Sequence, residues 1–170
     1  MKSKGYAALL STCIAVTSLT ACSASDDEDI ELLMSTDHAK QCVPVPSEGS
    51  AVIADQIQLA EGVKAVTLEA AELIDPVGLA VQDVYAVQSQ DGVGVGSMLL
   101  EEPDPLWSSR VPAEGARITG TVYWSVAFVL KREGAAPGTS EAVMIHYKTE
   151  DGELRRVQGN LRFELKDRCG

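Results

Sequence analysis

Ile118-Thr119-Gly120-Thr121-Val122-Tyr123-Trp124-Ser125-Val126-Ala127-Phe128-Val129-Leu130-Lys131 decides the fold class. Val122, Trp124, Val126, Phe128 and Leu130 fall at every second position, while Tyr123, Ala127 and Val129 make the other parity partly apolar. A period of two is that of a β-strand, and apolar residues on both parities mark a central one. The stretch therefore predicts one central strand from Ile118 to Lys131. Downstream, Val143, Ile145 and Tyr147 alternate with Met144, His146 and Lys148, and Val157, Leu161, Phe163 and Leu165 continue in the same way. Turn residues fall at Gly134-Ala135-Ala136-Pro137-Gly138 and at Asp151-Gly152, so residues 118–166 read as consecutive antiparallel strands.

Upstream, Ile53, Ile57 and Leu59 share a parity, Val66, Leu68 and Ala70 alternate with Thr67 and Glu69, and Val77, Leu79 and Val81 follow Asp75-Pro76. These predict three further strands. Leu68-Glu69-Ala70-Ala71-Glu72-Leu73 favours helix by propensity, but a run this short without a cap makes one helical turn at most. About seven strands with no convincing helix predict an all-β domain over 42–170, an immunoglobulin-like antiparallel β-sandwich.

The N-terminal region carries an address. Lys2 and Lys4 precede an apolar run from Tyr6 to Val16, and Leu19-Thr20-Ala21-Cys22 closes it. This is the pattern of a secretory signal, too short and too rich in Ser and Thr for a stable transmembrane span. It resembles a bacterial lipoprotein leader with its lipobox. The resemblance implies diacylglycerol on the Cys22 thiol, acyl chains such as palmitate, and cleavage between Ala21 and Cys22. Residues 1–21 are then a signal peptide, and the chain is lipid-anchored at the extracytoplasmic face of the cell membrane. Residues 22–41, with Asp26-Asp27-Glu28-Asp29, read as an acidic flexible linker. Ile30, Leu32, Leu33 and Met34 interrupt it as a helical turn or an added strand. Cys42-Val43-Pro44-Val45-Pro46 is the stiff start of the domain.

The formal net charge of −11 becomes −13 when residues 1–21, with two lysines and no acids, are removed. So acidic a chain lacks the cations that displace phosphate counterions, which excludes nucleic acid as a partner. It also repels anionic headgroups, leaving membrane contact to the N-terminal lipid. Residues 22–109 hold 17 acids against Lys40 and Lys64, whereas 131–170 hold eight basic and seven acidic side chains. Of four cysteines, Cys13 leaves with the leader and Cys22 takes the lipid. Cys42 and Cys169 remain at the two ends of the domain, placed to form a terminal disulfide outside the cytoplasm. A metal pair or redox dithiol is the weaker reading, since no CxxC is present.

Catalytic and cofactor signatures are few. Gly92-Val93-Gly94-Val95-Gly96 lacks the Lys-Ser/Thr of a phosphate loop and reads as a strand or hairpin segment. His38 and His146 are the two imidazoles, too few for a His-rich metal site, and neither Gly-x-Ser-x-Gly nor HExxH occurs. We expect no cofactor, no metal site and no catalysis. The candidate partner loop is Glu101, Glu102, Asp104 and Trp107, an acidic stretch stiffened by Pro103 and Pro105. Its spacing fits no EF-hand. Trp107 either anchors a partner or folds back over an end of the sandwich while the acids face water.

The segments Val66 to Gln88, Trp107 to Ala116 and Trp124 to Arg132 resemble parts of uncharacterised bacterial exported lipoproteins. That resemblance, one of layout over most of the mature domain, implies an immunoglobulin-like β-sandwich and an extracytoplasmic address, and it transfers no catalytic residue. The expected function is a lipid-anchored interaction module of the cell envelope, binding a protein or wall component. The alternative is a small-ligand or metal-ion binding lipoprotein that serves a transporter or assembly factor.

Overall fold

The computed structural model describes residues 30–35 and 38–170; the leader, Cys22 and the acidic run that follows it lie outside the described residues. The first strands are β1 (Leu32–Met34), β2 (Lys40–Pro44), β3 (Ser50–Leu59), β4 (Ala65–Ile74) and β5 (Leu79–Gln88). Next come β6 (Met98–Leu99), β7 (Val111–Pro112), β8 (Arg117–Thr119) and β9 (Trp124–Arg132). The chain closes with β10 (Gly138–Ser140), β11 (Ala142–Lys148), β12 (Leu154–Gln158) and β13 (Arg162–Lys166).

β9 lies at the middle of the largest sheet, ordered β1-β3-β9-β5-β7, with β6 also on β3. Both of its edges are paired antiparallel, to β3 with Ile53 opposite Phe128 and to β5 with Val84 opposite Phe128. Its two parities separate as the alternation requires. Val126, Phe128 and Leu130 point into the main core with Ile53, Val66, Leu68, Val143, Ile145 and Phe163. Ala127 and Val129 enter a second cluster on the outer face with Val52, Ala54, Val87 and Val95. Across the main core stand a four-stranded sheet, β12-β11-β4-β8, and a three-stranded one, β10-β13-β2. The protein is an all-β, immunoglobulin-like antiparallel sandwich. It is built from thirteen strand segments among the described residues rather than about seven, because one long run is broken where it changes sheet and because β1, β6, β7 and β10, of two or three residues each, are too short to show a period.

Several expectations are corrected in detail. The single strand from Ile118 to Lys131 is two: β8 pairs with β4 in one sheet and β9 belongs to the other, the chain crossing at Gly120–Tyr123. Gly120 makes the crossing with φ of 81°, a conformation that residues bearing a Cβ avoid. The helical turn at Leu68–Leu73 is strand, because β11 and β8 offer edges to β4 and tertiary pairing overrides propensity. Within 118–166 only β11 and β12 form a hairpin, while β9 pairs with β3 and β5 and β10 with β13. Two described parts of the stretch expected to be linker over 22–41 belong to the fold. Of helical turn and added strand, Leu32–Met34 takes the strand, with Leu32 fully buried, and Lys40 and Gln41 already belong to β2.

The chain ends are tied together. β2 runs parallel to β13, with Cys42 opposite Glu164, and Cys42 is disulfide-bonded to Cys169 across 127 positions. In the chain-entropy model such a loop is worth about 5 kcal/mol. Arg132 closes the same region. Only 1% of it is exposed, and its guanidinium donates to the carbonyls of Val45 (2.8 Å), Ala136 (3.0 Å) and Ala135 and to Asp167 Oδ1 (2.7 Å). Asp167 lies largely in solvent, so the carbonyls rather than the ion pair hold the last residue of β9 in place.

Candidate functional site

The loop singled out in the sequence is a cover over the central sheet. β6 pairs with β3 at Ala51 and Val52 and lays the following residues across the outer face of β3, β9 and β5. Asp104 caps a 3-10 turn at Pro105–Ser109, its Oδ1 accepting from the Leu106 amide at 2.7 Å, and Pro105 supplies the φ that begins such a turn. This aims Trp107 inward, where 7% of it is exposed and it packs with Val52, Ala54, Val87, Ala127 and Val129. Tyr85 meets the indole edge-on, with ring centroids 5.3 Å apart at 78°. Arg110 stacks on the assembly from outside, its guanidinium 4.8 Å from the Trp107 ring centre and 5.2 Å from that of Tyr85, while donating to the Trp107 carbonyl.

The four candidate residues therefore do not converge on a ligand. Asp104 is occupied as a cap, Trp107 is a plug, and Glu101 and Glu102 stand in water. Of the two roles open to Trp107, folding back is the one observed, and the surface it covers is the outer face of the central sheet. The glycine-rich run serves the same cover. Gln90 and Val93 bridge in a tight turn and Val95 is buried, while a Cβ at Gly94 would stand 2.7 Å from Ser125 Oγ.

The remaining residues read from the sequence are dispersed. Cys42 and Cys169 are bonded to each other. Cys22 lies outside the described residues. His146 sits on the outer face of β11, its Nε2 3.0 Å from Glu72 Oε1, beside the Lys148–Glu69 pair. His38 is exposed, at a recess shared with Asp75, Glu141 and Arg162. Among the described residues no three of His, Cys, Asp and Glu are grouped to hold a metal ion.

Asp55 is the chemically distinctive group, and sequence reasoning passed over it. It lies on the core-facing parity of β3, between Ile53 and Ile57, and 6% of it is exposed. Its Oδ1 accepts from the Gln56 amide at 2.8 Å and its Oδ2 has no partner. Burial pushes its pKa up to about 6, and the Gln56 hydrogen bond opposes this only in part. Oδ2 is wedged against Gly159, where a Cβ would come within 2.7 Å of it. Beside it is a recess of about 250 Å³ lined by Ser35, Gln41, Gln56, Gly94 and Leu161, where β3 passes between its pairings with β6 and β1. The available signal was an acid at the centre of Ile53-Ala54-Asp55-Gln56-Ile57, on the parity of the isoleucines.

No protein-family model matches the chain, and no curated protein matches it. Among solved structures it is similar to the ASH/PapD-like domain 7 of human CEP192, at 7% identity and a TM-score of 0.42, over 82% of this chain and 87% of that one. It is also similar to the secreted serine protease VesC of Vibrio cholerae, at 13% identity and a TM-score of 0.37, over 82% of this chain and 24% of that one. The N-terminal domain of PorA aligns at 12% identity and a TM-score of 0.37, over 80% of this chain and 98% of that one. All three scores fall below 0.5, and no property of those proteins passes to this one.

Two outcomes test this geometry. Trp107→Ala empties the second cluster and lowers unfolding free energy by about 3 to 5 kcal/mol, read from urea titration; a loss within the range of ordinary surface substitutions would show that the loop is not a structural cover. Asp55 titrates from 3.8 in the open chain to about 6 in the fold. The stability tied to its proton is present below the lower value and lost as pH rises through the upper one, about 3 kcal/mol in all. Asp55→Asn removes that slope, so stability relative to the parent rises between pH 4 and 7; a constant difference across that window would contradict the buried titration.

Proposed function

We propose that this protein is a lipid-anchored interaction module at the extracytoplasmic face of a cell membrane, recognising an envelope protein or wall component without catalysis. The observation that carries the reading is the Cys42–Cys169 bond. Disulfides persist outside the cytoplasm, and this one accounts for both cysteines of the domain. Of the two other cysteines, Cys13 lies inside the apolar leader and Cys22 directly behind Leu19-Thr20-Ala21, where a lipobox places its acylated residue. The disposition of reactive groups favours recognition over chemistry: the His146 imidazole is paired with Glu72 on an outer strand face, and the Asp55 carboxylate accepts from the Gln56 amide on one oxygen while the other has no hydrogen-bond partner.

A small-ligand binding lipoprotein is the second reading, favoured by the recess beside Asp55. Its ligand would bring a hydrogen-bond donor to a single carboxylate oxygen. The deciding experiment is affinity purification of the full-length protein from cross-linked membranes, with Cys22→Ala as the unanchored control and mass spectrometry as the readout. The expected result is a specific envelope partner held by the anchored protein and lost in the control. An empty capture from folded, lipidated protein would overturn the interaction reading in favour of the small ligand.

A further inference from the structure

The strand register sorts the sandwich into two ends. β3 runs from Ser50 to Leu59, and Leu32 opposite Leu59 brings Ile30 to the Leu59 end. Trp124 opposite Ile57 brings Gly120–Tyr123 to that end, and Trp124 opposite Gln88 adds the turn at Gln90–Val93. Ala65, which begins β4 five residues beyond Ala60, carries the β11–β12 hairpin there too, through Thr67 opposite Lys148 and Lys148 opposite Leu154. Ser50, Leu79, Arg132 and Gly138 mark the other end.

Exposed apolar side chains are unevenly divided between these ends. Of the ten large apolar residues exposed among the described residues, six lie at the Leu59 end: Ile30, Leu33, Val93, Val122, Tyr123 and Leu154, the last 71% exposed. Leu33 and Tyr123 line one groove of about 360 Å³. Stacking and pairing do not require these residues to be apolar, since they lie outside both core clusters.

The chain departs from the same end. Seven residues, 23–29, separate Cys22 from Ile30. Fully extended, the eight steps from Cys22 to Ile30 reach about 28 Å, and as a flexible coil about 16 Å. β3 alone rises about 30 Å from one end of the domain to the other. A lipid on Cys22 therefore holds the Leu59 end near the bilayer and keeps the Arg132 end away from it. Because the described fold begins near Ile30, this tether is shorter than the linker expected over 22–41, and it keeps the domain close to the surface.

Resting on the anchoring proposed above, we infer that the Leu59 end is a membrane-seating surface, with Ile30, Leu33, Val122 and Tyr123 against the headgroup–acyl boundary of a neutral bilayer. A tyrosine beside aliphatic residues suits that boundary, where an apolar ring body and a polar hydroxyl are both satisfied. The charge at this end selects the lipid. Glu150 is paired with Arg117 at 3.1 Å and Glu61 shares its loop with Lys64, which leaves Asp91, Asp151 and the preceding run Asp26-Asp27-Glu28-Asp29 as the excess charge, so zwitterionic headgroups are tolerated and anionic ones repelled.

The test uses full-length lipidated protein on phosphatidylcholine vesicles whose acyl chains carry bromine, a short-range quencher of tryptophan. Tyr123→Trp reports on the seated end and Val77→Trp on the other, each against the parent emission of Trp107 and Trp124. Flotation of each protein with vesicles, and its absence in Cys22→Ala, first establishes anchoring. The added emission at position 123 falls about twofold and that at 77 is unchanged, as for a side chain at the acyl boundary against one in water; anionic phosphatidylglycerol weakens the effect. Flotation with equal or no quenching at the two positions would overturn the seating while leaving the anchor standing. A blue shift at 123 without quenching would assign the patch to a second copy and overturn it as well. Failure to float would overturn anchoring and seating together.

Discussion

Burial of β9 on every side is the constraint on which the rest of the structure depends. Its two edges are occupied by β3 and β5, one face by the main core, and the other by Trp107 and its neighbours. A strand with Phe128 and Leu130 on one face and Ala127 and Val129 on the other cannot be left with a wet side, because each large side chain withdrawn from water is worth about 1.5 to 3 kcal/mol. The sandwich supplies the first cover. The second must come from elsewhere, and the long excursion between β5 and β9 provides it. Trp107, the aromatic of a loop that reads as a recognition element, is thereby committed to the core, while Glu101 and Glu102 of the same loop stay in water.

The polar groups enclosed in this arrangement mark its ends and its imperfections. Arg132, at the last position of β9, is held by backbone carbonyls from the Val45 segment and from the turn after β9, so the guanidinium acts as a structural hub. Together with the parallel pairing of β2 and β13 and the disulfide, it joins the two ends of the domain at one place. Asp55 is the contrary case, a carboxylate with one oxygen bonded and one bare in a row of isoleucines. The fold carries it at a cost that rises with pH.

Much of this was legible in the sequence. The alternation from Trp124 to Leu130 identified the central strand and its two buried parities, and the turn residues at Asp151-Gly152 located the β11–β12 hairpin. The break before β9 was not legible, because Val122 and Tyr123 continue the apolar pattern although both are exposed at the crossing. β4 carried helix-forming residues whose preference is overruled by neighbours far away in sequence. β1 lay hidden in an acidic stretch, since three residues give too little periodicity to classify, and its burial depends on the edge that β3 presents. For Trp107 the local sequence allowed two directions, and only the vacant face of a sheet assembled from β3, β5 and β9 selected one. Asp55 was overlooked because its parity was counted only through the isoleucines beside it.

Once both faces of β9 are covered, its sheet offers other molecules only ends and edges, while the opposite sheet keeps an outer face that carries polar side chains such as His146 and Glu72. That reading rests on the doubly covered strand, which hydrogen–deuterium exchange on the full-length protein tests directly. The account predicts that the amides of Ser125–Leu130 exchange only through global unfolding, slower than those of the short peripheral strands β7 and β10. Exchange of β9 at the rate of β7 or β10 would contradict it, because a strand paired on both edges and covered on both faces has no local route to solvent.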